Sequence, residues 1–161
     1  MGRTSIVSLR VFQGLLAAAN LGLSAYVVHW YLVTTRRGSP ASLNFLVFAS
    51  SFSVLSLLYL ELAPRLCPRA AHPYGCMSVE ACNALFYFAA FIAHAVFLGG
   101  LAMCRGTVCT VGRVDSIIAA AAFCAWSAST ILTAKQMFMT GVRKSGADHA
   151  NNTKAMQMQD A

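Results

Sequence analysis

The sequence predicts an all-α integral membrane protein, a bundle of four spanning helices, and three observations carry that prediction. Of 161 residues, 58% are hydrophobic and only 11% are charged, where water-soluble domains average about 25%. Stretches 11–35, 38–60, 81–104 and 116–134 contain no Asp, Glu, Lys or Arg, and each is close to the ~20 residues a spanning helix needs. None shows the alternating polarity of a barrel strand, so helices remain as the elements that satisfy their own backbone in lipid.

The predicted helices cover about 9–34, 42–62, 80–104 and 114–138, giving a four-helix domain over 1–140 and a flexible polar tail over 141–161. The first run resembles a signal peptide in having Arg3 and Arg10 ahead of apolar residues. Its hydrophobicity continues to Val33, the length of a retained helix rather than of a signal core. Basic residues set the expected orientation. Eight fall on one side (Arg3, Arg10, Arg65, Arg69, Lys135, Arg143, Lys144 and Lys154) and four on the other (Arg36, Arg37, Arg105 and Arg113). Both termini are therefore expected in the cytoplasm.

Within the first helix Gly14, Ala18 and Gly22 recur at four-residue spacing, as do Ala121, Ala125 and Ser129 in the fourth. Such small-residue ladders let helix backbones approach closely in lipid, inside a bundle or between subunits. The third helix carries a polar stripe of Glu80, Asn83, Tyr87 and His94, and the first a matching one of Gln13, Asn20 and Ser24. Polar side chains avoid the lipid face. The stripes point to interhelical hydrogen bonding at roughly 0.6–2 kcal/mol per contact, ahead of a transport path. Among the spans only His94 reads as an ionisable mid-membrane residue. Arg10, Glu61, Glu80 and Lys135 fall at the cytoplasmic ends of the four helices and are expected to form one interfacial charge layer.

The chemistry of catalysis is not legible here. His29 and His94 stand at different depths, about 27 and 20 Å from the inner helix ends at ~1.5 Å per residue, so a haem between two imidazoles is not expected. The six cysteines form no C-x-x-C pair, which removes the usual signature of zinc or thiol-redox sites. Cys104 and Cys109 bracket an outer loop and are spaced for a small disulfide; Cys67, Cys76 and Cys82 are expected beside the cytoplasmic leaflet, as free thiols or acylation sites. No phosphate loop, nucleophile elbow or metalloprotease motif occurs. No enzyme, cofactor or metal is expected. Arg143, Lys144 and Lys154 are too few for nucleic acid, but suffice to touch anionic lipid headgroups.

Four local patterns resemble a known family: Leu9-Arg10-Val11-Phe12-Gln13 opening the first helix; Ser42-Leu43-Asn44-Phe45-Leu46-Val47-Phe48 opening the second; Glu80 and Asn83 ahead of Phe86-Tyr87-Phe88; and Ala120-Ala121-Ala122-Phe123 with Trp126 in the fourth. In order and spacing they resemble the MARVEL-domain tetraspan membrane proteins, most closely a fungal branch that includes the non-classical export protein 2 and eisosome-associated proteins. The segment 64–79 is longer than that family's turn. The resemblance implies a plasma-membrane protein that organises lipid and protein domains, meets sphingolipid or sterol, and self-associates laterally. It implies no catalytic residues. Different in class are two rivals, a small transporter or channel lined by Asn83, Tyr87 and His94, and an accessory subunit of a larger membrane complex.

Overall fold

The computed structural model describes residues 3–35, 38–66, 73–100 and 107–159, with side chains placed over 6–34, 38–62, 74–100 and 107–139. Its elements are α1 (Arg3–Trp30), which ends in a π-helical turn at Tyr31–Thr35, then α2 (Ala41–Leu66), α3 (Pro73–Gly100) and α4 (Thr107–Gln159). Each contains a stretch long and apolar enough to cross a membrane: Ile6–Thr34, Ala41–Leu62, Tyr74–Gly100 and Thr107–Met139. The Pro40 carbonyl opens α2 by accepting from the Leu43 and Asn44 amides at 3.0 and 3.2 Å, which pairs two donors that a helix N-terminus otherwise leaves free.

Backbones pack as α1–α2, α2–α3, α3–α4 and α4–α1, and among the described residues neither diagonal pair meets. Gln13 reaches Ala125 and Asn20 reaches Asp115, so numbering rises on α1 as it falls on α4; the two run antiparallel. The pairs Glu80–Thr133 and His94–Gly112 establish the same for α3 and α4. This is the up-down-up-down arrangement of a four-helix bundle.

The bundle is polar inside and apolar outside. Val11, Leu15, Leu55, Leu85, Val96, Ile117 and Ile131 point outward, while Gln13, Asn20, Ser24, Ser50, Ser53, Glu80, Asn83, His94, Asp115 and Ser129 are buried. Apolar side chains gain nothing by leaving lipid, whereas an amide or carboxyl gains a partner by turning inward. Leu46, Tyr87, Ala90, Ala119, Ala122 and Trp126 fill the remaining core, and the ring of Phe86 lies among Phe45, Phe48 and Phe52 to close the α2–α3 seam.

Several helix limits differ from those expected. α3 begins at Pro73 and α4 at Thr107, about two turns earlier than the charges implied, because Pro is tolerated in a first helical turn. Glu80 and Asp115 therefore lie well inside helices instead of at their ends. Arg113 is likewise inside α4, not in a loop. The long connection expected over 64–79 narrows to residues 67–72, which lie outside the described residues. α4 also remains helical to Gln159, through the segment expected to be a flexible tail; Ala, Lys, Met and Gln in that segment are good helix formers despite their polarity.

Candidate functional site in the bundle core

Three-and-four spacing on each helix builds one polar interior. On α1 the enclosed residues are Gln13, Ala17, Asn20, Ser24 and Val27; on α2, Leu46, Ala49, Ser53, Ser56 and Leu60; on α3, Glu80, Asn83, Tyr87, Ala90 and His94; on α4, Asp115, Ala119, Ala122, Trp126 and Ser129. Side chains at this spacing stack along a single helix face.

At one end Arg10 donates to Glu80 Oε1 in a buried ion pair, its side chain 13% exposed and that of Glu80 fully enclosed. Thr133 donates to the other oxygen, Oε2, at 2.7 Å, and Arg10 also donates to Gln13 Oε1 at 3.3 Å. The guanidinium carbon lies 5.9 Å from the centroid of the Trp126 ring, within cation–π range. Of the four residues expected in one charge layer, Arg10 and Glu80 form this enclosed pair, while Glu61 is half-buried and Lys135 exposed. The reason is the early start of α3, which carries Glu80 into the bundle.

One level further in, Asn83 donates to Ser56 Oγ at 2.8 Å and to the Val79 carbonyl at 2.8 Å, Gln13 donates to the Ala125 carbonyl at 3.2 Å, and Trp126 donates to Ser53 Oγ at 3.1 Å. At the centre Asn20, with its amide nitrogen turned to α4, donates to Asp115 Oδ1 at 2.7 Å and to the Asp115 carbonyl at 3.0 Å. The Tyr87 hydroxyl lies within electrostatic range of Asp115, with the side chains of Ser50, Ser53 and Asn20 around it. Neither that hydroxyl nor Asp115 Oδ2 has a hydrogen-bond partner among the described residues. Towards the other end His94 Nε2 meets the Gly112 carbonyl at 3.1 Å. A Cβ on Gly112 would stand 3.2 Å from Leu98 and 3.6 Å from His94 Nε2, so glycine here permits the close approach of α3 to α4.

All six predicted stripe residues, Gln13, Asn20, Glu80, Asn83, Tyr87 and His94, are enclosed. Asp115 is the enclosed polar residue that sequence reasoning missed, together with Ser50, Ser53 and Ser56. Besides His94, the α4 span encloses another ionisable group, Asp115, eight residues beyond Thr107. The signal was present in Cys109, Gly112, Asp115, Ala119, Ala122 and Trp126, which recur at three and four.

The two small-residue ladders part company. Ala125 and Ser129 are buried and Ala121 half-buried, facing the bundle, whereas Ala18 and Gly22 are exposed and Gly14 is half-buried against Leu57. His29 is exposed. Cys109 is disulfide-bonded; Cys104 and Cys67 lie outside the described side chains. Cys76, Cys82 and Cys124 are free thiols. Cys82 is exposed and stands eight residues beyond Tyr74, where the apolar stretch of α3 begins. Among the described residues no group of three or more His, Cys, Asp or Glu is placed to hold a metal ion.

No curated protein and no solved structure matches the chain. One family does: the MARVEL membrane-associating domain, over residues 2–132. The match takes in α1 to α3 and α4 as far as Leu132, the part of the chain that encloses the polar interior. With four apolar helices closed around that interior, the chain is an integral membrane protein and belongs to the MARVEL family.

Proposed function

We propose that the protein is a non-catalytic organiser of plasma-membrane domains, a laterally self-associating tetraspan of the fungal branch named above, with both termini in the cytoplasm. One observation carries this reading: α1 encloses Gln13, Asn20 and Ser24 but turns Ala18 and Gly22 outward, and no atom lies within 4 Å of where a Gly22 Cβ would stand. A small-residue surface facing lipid lets a second backbone come into van der Waals contact, the main source of helix association where no hydrophobic effect operates. Sphingolipid or sterol would pack around such assemblies, and basic residues at the helix ends would hold anionic headgroups at about 1 kcal/mol each.

The test replaces Ala18 and Gly22 with Leu in a fluorescently tagged chain imaged at native level. Both side chains would enter open space, so thermal unfolding should be unchanged while plasma-membrane patches disperse. Patches that persist in the folded variant reject the proposed interface. The native patches should also dissolve when sphingolipid synthesis is blocked. Orientation has its own test in the sequon Asn151-Asn152-Thr153: a cytoplasmic C-terminus leaves it unglycosylated.

A second reading, a small transporter or channel, is favoured by the carboxyl of Asp115 within a span, since intramembrane ionisable groups often mark ion paths. Ion flux into liposomes that disappears in Asp115→Leu and His94→Leu chains would support it; absence of flux in the native chain rejects it.

A further inference from the structure

We propose that the centre of the bundle is a binding site for a monovalent cation of sodium's size, held by the Asp115 carboxylate and by neutral hydroxyl oxygens from α2 and α3. Asp115 is fully enclosed. Its Oδ1 accepts from Asn20, its Oδ2 has no partner, and among the described residues no basic side chain pairs with it. The nearest complete ion pair, Arg10 with Glu80 and Thr133, is closed on itself at the other end of the bundle. His94 is committed through Nε2 to the Gly112 carbonyl.

A second, independent observation points to the same place. The Tyr87 hydroxyl is completely buried and unpartnered, within range of Asp115 and surrounded by Ser50, Ser53 and Asn20. Three helices thus supply oxygens, Ser50 and Ser53 from α2, Tyr87 from α3 and Asp115 from α4, while Asn20 from α1 orients the carboxylate through its amide N–H. The Ser50 hydroxyl donates to the Leu46 carbonyl at 2.9 Å, and Ser53 Oγ accepts from Trp126 at 3.1 Å. Both hydroxyl oxygens retain acceptor capacity.

The donor set selects the ligand. An enclosed carboxylate without a counter-charge is very unfavourable, and a single positive charge neutralises it. Hard oxygen donors suit alkali and alkaline-earth cations. Magnesium demands near-ideal octahedral geometry and sheds water reluctantly, and calcium sites usually gather several carboxylates; one carboxylate with neutral hydroxyls fits a monovalent ion. Asp115 lies about 12 Å along α4 from Thr107 at ~1.5 Å per residue.

The experiment follows thermal unfolding of the purified full chain in detergent, in NaCl, LiCl, KCl or choline chloride at equal ionic strength. NaCl should raise Tm saturably, by about 4 °C at ten times its Kd, and choline should not. Asp115→Asn, nearly isosteric and uncharged, should unfold at the same temperature in both salts. Tyr87→Phe should move the half-effective NaCl concentration up by about tenfold. Sodium-23 NMR should give line broadening with the native chain that Asp115→Asn removes. Equal Tm in all four salts, the behaviour of a protonated carboxyl that takes no cation, overturns the proposal, as does a sodium effect that survives in Asp115→Asn. Should that variant not fold, the native salt comparison and the Tyr87→Phe shift decide.

Discussion

The indole N–H of Trp126 on α4 donates to Ser53 Oγ on α2 at 3.1 Å, across a diagonal along which the two backbones never meet. Arg10 on α1 and Glu80 on α3 bridge the other diagonal. A square of four helices held only along its sides can shear into a rhombus; two crossing polar struts oppose that. Tryptophan and arginine are long enough to span the middle.

Ser53→Ala should leave the Trp126 N–H buried without an acceptor and lower stability by about 1–2 kcal/mol. Unfolding in a detergent titration measures it. Ser51→Ala provides the control, because that hydroxyl bonds only the Val47 carbonyl of its own helix, at 2.8 Å.

Glu80→Ala should be far more damaging, roughly 3–5 kcal/mol, because it strands the Arg10 guanidinium in the interior. The double variant Arg10→Met with Glu80→Leu should be milder than either single change. A double-mutant cycle reads the coupling directly; purely additive values would reject the ion pair as a structural strut.

The glycines make a contrasting pair. Gly112→Leu must displace Leu98 and press on His94, where even a Cβ would come within 3.2 Å, and should cost about 1–3 kcal/mol by overpacking. Gly22→Leu enters open space and should change unfolding by less than about 0.5 kcal/mol. Paired melting curves of the two variants check both.

Acylation should distinguish the cysteines by depth. With the leaflet surface at Tyr74, Cys82 would lie about 12 Å deep at ~1.5 Å per residue, beyond reach of an enzyme working at that surface, whereas Cys76 is only two residues past Tyr74. Acyl-exchange labelling should find no thioester at Cys82; a thioester there would place the start of the span closer to Glu80.

Much of this architecture was legible because lipid imposes a simple code. Charge-free runs located all four helices, and the spacing of Glu80, Asn83, Tyr87 and His94 identified an inward face without any knowledge of its partners. Asp115 escaped the same reasoning. Charges mark where apolar runs end, so Asp115 reads as the boundary of the 116–134 run, although Gly112 and Cys109 continue its face for nearly two more turns. Pairings were illegible for another reason: periodicity says which way a side chain points, and nothing about whether Asn20 meets α3 or α4. The Ala18–Gly22 and Ala125–Ser129 ladders show the same limit, since identical spacing serves an outer surface in one helix and the interior in the other.

α4 leaves the ribosome after α1 to α3, and it completes the bonding of those three. Gln13 needs the Ala125 carbonyl, Asn20 needs Asp115, Ser53 meets Trp126, Glu80 takes a bond from Thr133, and His94 rests on Gly112. Until residues 107–133 are translated, the nascent chain presents unmet amides and a half-satisfied carboxylate at membrane depth. A chain ending before Thr107 would therefore leave those amides and the Glu80 carboxylate short of partners at membrane depth, so the first three helices cannot reach their final bonding without α4.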